Sequence, residues 1–293
     1  MPELPEVESQ ARDVKHWVVG RPIQEVWVGN KKTVATPGVP QFIKQLKGRR
    51  FKKVSRRGKF ILMELDGGLT LVSHFRMTGH FRLASLTKSK SAREWYIYPP
   101  DRFSRVAFKL DRGDVLHYTD IRKFGRLWLV PTKKVQQLPE LAELGPEPLD
   151  KSFTPDKFAT CVRRFSGMIK PVLLNQSCVA GIGNIYADES LFDAAIHPKT
   201  RVQKLSDEQL HELVKMVIAN LGAAVKHRGS SVGEFTNIKG DAGKHGLYLR
   251  VYQQTGEKCQ RRRNGKPCGG VVKRIVVGQR GTHICPVCQK VKR

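Results

Sequence analysis

Residues 51–75 read FKKVSRRGKFILMELDGGLTLVSHF: two apolar runs, Phe51 to Leu65 and Leu69 to Phe75, on either side of Asp66-Gly67-Gly68. Branched and aromatic residues flanking a Gly-Gly turn predict a hairpin, because glycine reaches the positive φ that a tight turn needs. The same pattern extends outward. Ile23 to Val28, Arg105 to Leu110, Val115 to Tyr118 and Arg126 to Val130 are further short runs, and Asp111-Arg112-Gly113-Asp114 is a second turn. Many short strands with no helices alternating between them predict a β-sandwich or barrel rather than a parallel sheet. Ahead of them, Val7, Ala11, Val14, Trp17 and Val18 recur at helical spacing and Gly20 stops the run, so one amphipathic helix leads the strands.

Pro131, Pro139, Pro146 and Pro148 then punctuate a linker holding one short helical piece, which places a domain boundary near residue 140. Beyond it, Ser206 and Gln209 form a capping box for a long helix whose apolar face is Leu210, Leu213, Val214, Val217, Ile218, Leu221 and Val225. Gly229 to Lys244, rich in Gly, Ser and Asn, reads as a mobile loop.

With 53 Lys+Arg against 26 Asp+Glu, the 293-residue chain carries a net charge of +27, far more than solubility requires, so a polyanion is the expected partner. No apolar span of membrane length and no signal-peptide pattern is present, which favours nucleic acid over a membrane surface and predicts a cytoplasmic, nucleoid-associated protein. Six cysteines without an export signal suggest thiols or metal ligands rather than disulfides. Cys259-x8-Cys268 and Cys285-Pro286-Val287-Cys288 bracket β-branched residues 271–277, a pattern suited to one structural zinc holding a β-hairpin too small to bury its own core. Cys161 and Cys178 stand alone in helical context and read as core residues.

The chain begins Met1-Pro2-Glu3-Leu4-Pro5-Glu6-Val7-Glu8. Removal of Met1, which a small second residue permits, leaves Pro2 as a secondary amine. An α-amino group has a pKa near ~8 against ~10.4 for lysine, so much of it is uncharged and nucleophilic at neutral pH. Attack on a carbonyl-like carbon gives a cationic iminium, an electron sink for elimination. Glu3 and Glu6, one turn apart on a helix beginning at Pro5, are placed to move protons. Taken alone, the octapeptide has a simpler reading: Pro5 starts a helix and the glutamates complement its dipole.

Other motifs also carry two readings. Gly181 and Gly183, in a turn feeding Asn184 to Glu189, permit close approach of a phosphate, or merely make a tight helix–helix connection. Met77, in His74-Phe75-Arg76-Met77-Thr78-Gly79-His80, and Arg122 and Phe124, in Asp120-Ile121-Arg122-Lys123-Phe124-Gly125, suit wedges between base pairs, although Met77 and Phe124 suit a core equally. Lys59 is a phosphate ligand or an exposed strand lysine.

Together these pieces, with Gly181-Ile182-Gly183-Asn184-Ile185-Tyr186-Ala187 and Gln279-Arg280-Gly281-Thr282-His283 before the last Cys-x-x-Cys, resemble the formamidopyrimidine-DNA glycosylase and endonuclease VIII family, in order from Pro2 to Cys288. The resemblance implies an α+β chain. A β-sandwich catalytic domain with its leading helix spans 1–135, a linker 136–150, a helix-two-turns-helix domain with a lesion-capping loop 151–245, and a β-hairpin zinc finger 246–293. It implies a monomer acting on double-stranded DNA that contains an oxidised base or abasic site, with Pro2 attacking C1′ of an everted nucleotide. Glu3 would protonate the opening sugar and Glu6 would order the site. Lys59, His74, Asn184 and Arg280 would grip phosphates, Met77, Arg122 and Phe124 would fill the gap left by the base, and Cys259, Cys268, Cys285 and Cys288 would hold the zinc. A full loop after the long helix resembles the oxidised-purine branch, with 8-oxoguanine and formamidopyrimidines as substrates. The alternatives are the oxidised-pyrimidine branch and a non-catalytic zinc-containing DNA-binding protein. Two departures stand out: Ile121 lies where the family more often has proline, and eight residues, Gln260 to Pro267, separate a cysteine pair that the family usually spaces by two. Within that insert, Arg261-Arg262-Arg263 is a DNA contact or a solvated charge run.

Overall fold

The computed structural model describes residues 1–85, 102–232 and 235–291. They form two units, Met1–Ala142 with Arg228–Lys244, and Glu143–His227 with His245–Arg293.

In the first unit, helix α1 (Leu4–Val18) precedes two sheets. One sheet has four strands in the order β1 (Ile23–Val28), β7 (Ser104–Leu110), β8 (Asp114–Thr119), β6 (His80–Ser85). The other has five in the order β2 (Val34–Thr36), β9 (Arg126–Pro131), β5 (Leu69–His74), β4 (Phe60–Leu65), β3 (Phe51–Arg57). All pairings are antiparallel except β2 with β9. Inward residues of both sheets, including Phe51, Ile61, Leu71, Phe81, Phe108 and Leu127, share one core with Val7, Ala11, Val14 and Val18 of α1. A short helix, α2 (Val39–Leu46), buries Phe42 and Leu46 in it.

The run 51–65 is itself a hairpin: Arg57 pairs with Phe60 across Gly58-Lys59. Lys59 is therefore a turn residue, and it is buried, not an exposed strand lysine. The strands at 34–36 and 80–85 were not legible in the sequence. The first has three residues, and the second, HFRLAS, has a single fully buried side chain, Phe81, to mark its inner face.

The second unit opens on α3-flanked linker residues, α3 itself being Pro139–Ala142 at the end of the first unit, and continues through α4 (Pro155–Arg163), α5 (Ile169–Leu174), α6 (Asn184–Asp193) and α7 (Asp207–Lys226). Turns at 175–183 connect α5 to α6, the helix-two-turns-helix arrangement. The expected Ser206–Gln209 capping box starts α7. Cys161 and Cys178 are buried as expected but do not stand alone, with Sγ atoms 2.9 Å apart. Two small hairpins, β10–β11 (Arg262–Arg263, Lys266–Pro267) and β12–β13 (Lys273–Val277, Arg280–Ile284), complete the unit. Among the described residues no helix is long and apolar enough to cross a membrane.

Candidate active site and metal centre

Met1 is 47% exposed, whereas Pro2 through Val7 are buried. The helix begins at Leu4, one residue earlier than the proline suggests, so Glu3 is the N-cap and Glu6 the third helical residue. They form a reciprocal capping box: the Glu3 carboxylate accepts the Glu6 amide, and the Glu6 carboxylate accepts the Glu3 amide at 2.8 Å. Glu6 also accepts the Ser230 amide at 2.7 Å and the Ser230 hydroxyl at 3.2 Å. The two carboxylates, each 2% exposed, are thus fixed by backbone groups at the entrance to the chain.

His74 pairs with Phe60, the residue after Lys59, and the two rings meet at a tilt of 58° with centroids 4.4 Å apart. Burial, with the positive charges of Arg76 and Lys59, pushes the His74 pKa down to about 3. The neutral ring accepts the Arg76 amide at Nδ1 (3.1 Å), so its proton sits on Nε2 as a donor. The loops after β5 and β8 are joined by buried Asp120. It accepts the Thr78 hydroxyl at 2.5 Å and the amides of Arg122 and Gly125 at 3.2 and 2.7 Å, while the Arg122 amide also donates to Thr78 Oγ1 at 3.0 Å. The two loops so joined leave Met77 and Phe124 37% and 50% exposed, with the Arg122 guanidinium 4.9 Å from the Phe124 ring centre. Neither Met77 nor Phe124 is a core residue.

In the second unit the turn before α6 is closed by Gln176, which donates to the Ile182 carbonyl and accepts the Gly181 amide, both at 2.9 Å. Asn184, the first residue of α6, donates to the Gly281 carbonyl at 2.9 Å, next to exposed Arg280. Underneath, fully buried Lys170 contacts Asp188 (2.6 Å) and Thr282 (2.7 Å), and Asp188 accepts the His283 amide at 2.9 Å. This network joins α5, α6 and the β12–β13 hairpin. Sequence reading gave these residues no role, as did Asp120 and Ser230, because nothing in residue type distinguishes a buried polar anchor from a surface one.

The sulfurs of Cys259, Cys268, Cys285 and Cys288 all lie within 4.8 Å of one another, with Cys259–Cys288 at 3.8 Å and Cys268–Cys285 at 3.7 Å. A tetrahedron with metal–sulfur bonds of ~2.3 Å has edges of about 3.8 Å, so the set fits one zinc. The Gly270 amide donates to Cys268 Sγ at 3.3 Å, and a Cβ on Gly270 would sit 2.5 Å from Cys285 Sγ, so only glycine closes the first knuckle. The eight-residue spacer leaves the sulfur set intact because it folds out as β10–β11, with Asn264-Gly265 in the positive-φ region at its tip. Arg261 donates to the carbonyls of Phe192 and Asp193 at the end of α6 and lies 4.8 Å over the Phe192 ring, which clips the insert to the helix.

Three family models cover the chain in order: the formamidopyrimidine-DNA glycosylase N-terminal domain over residues 1–127, its H2TH domain over 144–236, and the zinc finger found in FPG and IleRS over 256–291. The formamidopyrimidine-DNA glycosylase of Ligilactobacillus salivarius is 39% identical over 292 residues, with all of both chains covered. Two solved Lactococcus lactis Fpg structures are 37% identical. One, in complex with abasic-site DNA, matches with a TM-score of 0.87 over 98% of this chain and 99% of that one. The other, with N7-benzyl-Fapy-dG DNA, matches at 0.88 over 99% and 100%. A sandwich led by a glutamate-capped helix, a two-turn helical pair, a four-thiolate finger and this end-to-end similarity have one common account: the chain belongs to the formamidopyrimidine-DNA glycosylase family.

Proposed function

We propose that this protein is a bifunctional base-excision-repair enzyme, a DNA glycosylase and abasic-site lyase that removes oxidised purines, 8-oxoguanine and formamidopyrimidines. The observation that carries the proposal is the buried start of α1, where two backbone-fixed carboxylates follow directly on Pro2. Loss of Met1 exposes the Pro2 nitrogen. Its lone pair bonds to C1′ as the glycosidic bond breaks; the base leaves with the electron pair of the broken bond and takes up a proton, and the Pro2 nitrogen gives up its N–H proton. Glu3 protonates O4′ as the sugar ring opens, which leaves an iminium. Loss of a C2′ proton expels the 3′ phosphate, a second elimination expels the 5′ phosphate, and water then releases Pro2. Glu6 holds the Glu3 backbone. Lys59, neutral His74 through Nε2–H, Asn184 and Arg280 hold phosphates, and Met77, Arg122 and Phe124 occupy the gap left by the everted base. Zinc is structural and takes no part in these steps.

Borohydride trapping on an 8-oxoguanine:cytosine duplex tests the proposal. The parent protein, lacking Met1 by mass spectrometry, forms a covalent adduct, and Pro2→Gly forms much less. An equal adduct from the variant removes Pro2 from its role. Salt-sensitive binding without any cleavage would favour a non-catalytic binder, and preferred cleavage of thymine glycol would favour the oxidised-pyrimidine branch.

A further inference from the structure

Cys161 and Cys178 are the two cysteines with no part in the metal centre. Their sulfurs lie 2.9 Å apart, inside the ordinary contact distance of two sulfur atoms, and Cys161 Sγ also approaches the Cys178 carbonyl at 3.2 Å. Two elements build this approach. Helix α4 buries Phe158, Ala159, Cys161 and Val162, so Cys161 sits on its inner face. Cys178 lies in a turn closed on Asn175, whose carbonyl accepts the Cys178 amide at 3.0 Å and whose side chain accepts the Ser177 amide at 3.0 Å. Gly145 packs the same turn: its amide donates to the Gln176 carbonyl at 2.8 Å, and a Cβ there would sit 2.7 Å from the Cys178 oxygen. The two sulfurs are thus carried by ordered backbone on either side of a 17-residue separation that contains α5.

A disulfide has an S–S bond of ~2.05 Å, so about 0.9 Å of further approach closes one here. Packing alone accounts for two buried thiols, but it keeps sulfurs at contact distance and gives no reason for an approach this short. Cys161 is 8% exposed, whereas Cys178 is fully buried. Burial first, then the neighbouring Cys161, raise the Cys178 pKa against the opposing charge of Arg164, so Cys178 stays a protonated thiol. The sulfur that a small oxidant meets first is therefore Cys161.

We infer that Cys161 and Cys178 are an oxidation site, a dithiol that a peroxide converts into a disulfide linking α4 to the turn ahead of α6. The Cys161 sulfur attacks one peroxide oxygen and the O–O bond breaks. The departing hydroxide takes the Cys161 thiol proton, which leaves a sulfenic acid and one water. The Cys178 sulfur then attacks the Cys161 sulfur and expels hydroxide, which departs as water with the Cys178 proton. Two electrons from the sulfurs have reduced one peroxide to two waters. With Cys178 in place the sulfenic acid is consumed before it oxidises irreversibly, and a dithiol reductant restores both thiols. This chemistry does not depend on the activity proposed above. Its structural effect is a covalent tie across α5 to the turn in which Gln176 holds Gly181, and closing that loop of chain stabilises the fold.

The test treats the full-length, zinc-loaded, reduced protein with hydrogen peroxide, digests it, and identifies linked peptides by mass spectrometry. The expected product joins the peptide carrying Cys161 to the one carrying Cys178 within a single chain, and dithiothreitol removes the link. The oxidised protein melts about 5 °C above the reduced protein. Cys178→Ala forms no such link and accumulates sulfenic and sulfinic acid at Cys161, while Cys161→Ala leaves Cys178 a thiol. The two variants fail independently, so either one folding suffices for the comparison. The inference is overturned if peroxide gives disulfides only among Cys259, Cys268, Cys285 and Cys288. It is equally overturned if Cys161 reaches sulfinic acid as readily in the parent as in Cys178→Ala, or if the link forms only in urea or lowers the melting temperature.

Discussion

Glu6 holds two backbone amides at once, Ser230 at 2.7 Å through Oε1 and Glu3 at 2.8 Å through Oε2. One carboxylate thereby ties the N-terminal residues to a segment more than two hundred positions away in sequence. Glu6→Gln turns one of its acceptors into a donor facing an N–H. With the residue 2% exposed, the change is expected to cost about 2–3 kcal/mol in urea unfolding, the range for a buried charge-assisted hydrogen bond left unmade. A loss under about 0.5 kcal/mol would show that the carboxylate is not held as described.

Asp120 is the corresponding anchor for the loops that carry Met77 and Phe124. It is fully buried and accepts three donors from two loops. Asp120→Asn keeps its size but sets an amide N–H against those donors, with an expected loss of about 2–4 kcal/mol. On the role proposed for Met77, Arg122 and Phe124, loosening of the two loops should weaken eversion of the base too. A fluorescent base analogue beside the lesion reads this directly: its signal rise on binding, present in the parent, should be weakened in the variant.

What the sequence disclosed and what it hid divide along a physical line. The strands at 23–28 and 69–74, helix α7 with its capping box, and the zinc ligands follow from local periodicity and spacing, which a single segment carries within itself. The reach of Gln10 to Phe81 and Thr236, of Asp13 to Arg228 and of Asp188 to His283 depends on residues brought together only by the fold. Gly229 to Lys244 illustrates the limit. Its Gly, Ser and Asn content reads as a loop, which it is, but its docking on α1 rests on a polar stripe of that helix masked by the stronger apolar one.

The four-thiolate geometry predicts close to one zinc per chain by elemental analysis. Cys268 is the most exposed of the four ligands, yet Cys268→Ser replaces a soft thiolate with a hydroxyl and should lower zinc content well below stoichiometric. Because a hairpin this small has little core without the metal, the same variant should lose protection from proteolysis between residues 256 and 291. A metal-free protein with an intact, protease-resistant finger would contradict the assignment.

His74 makes the last prediction, a pH dependence with a definite sign. Burial first, then Arg76 and Lys59, lower its pKa from 6.5 to about 3. Below pH ~6.5 the unfolded chain takes up a proton that the folded chain refuses, so stability is lost as pH falls and the loss continues to about pH 3. Between pH 7 and pH 5 the difference amounts to about 2 kcal/mol. His74→Gln cannot titrate, whereas His245 and His197, whose pKa values are also lowered by burial, remain in both proteins and cancel in the comparison. Urea unfolding at the two pH values should therefore show the parent losing about 2 kcal/mol more than the variant. Equal losses would mean that His74 is protonated in the folded protein rather than held neutral.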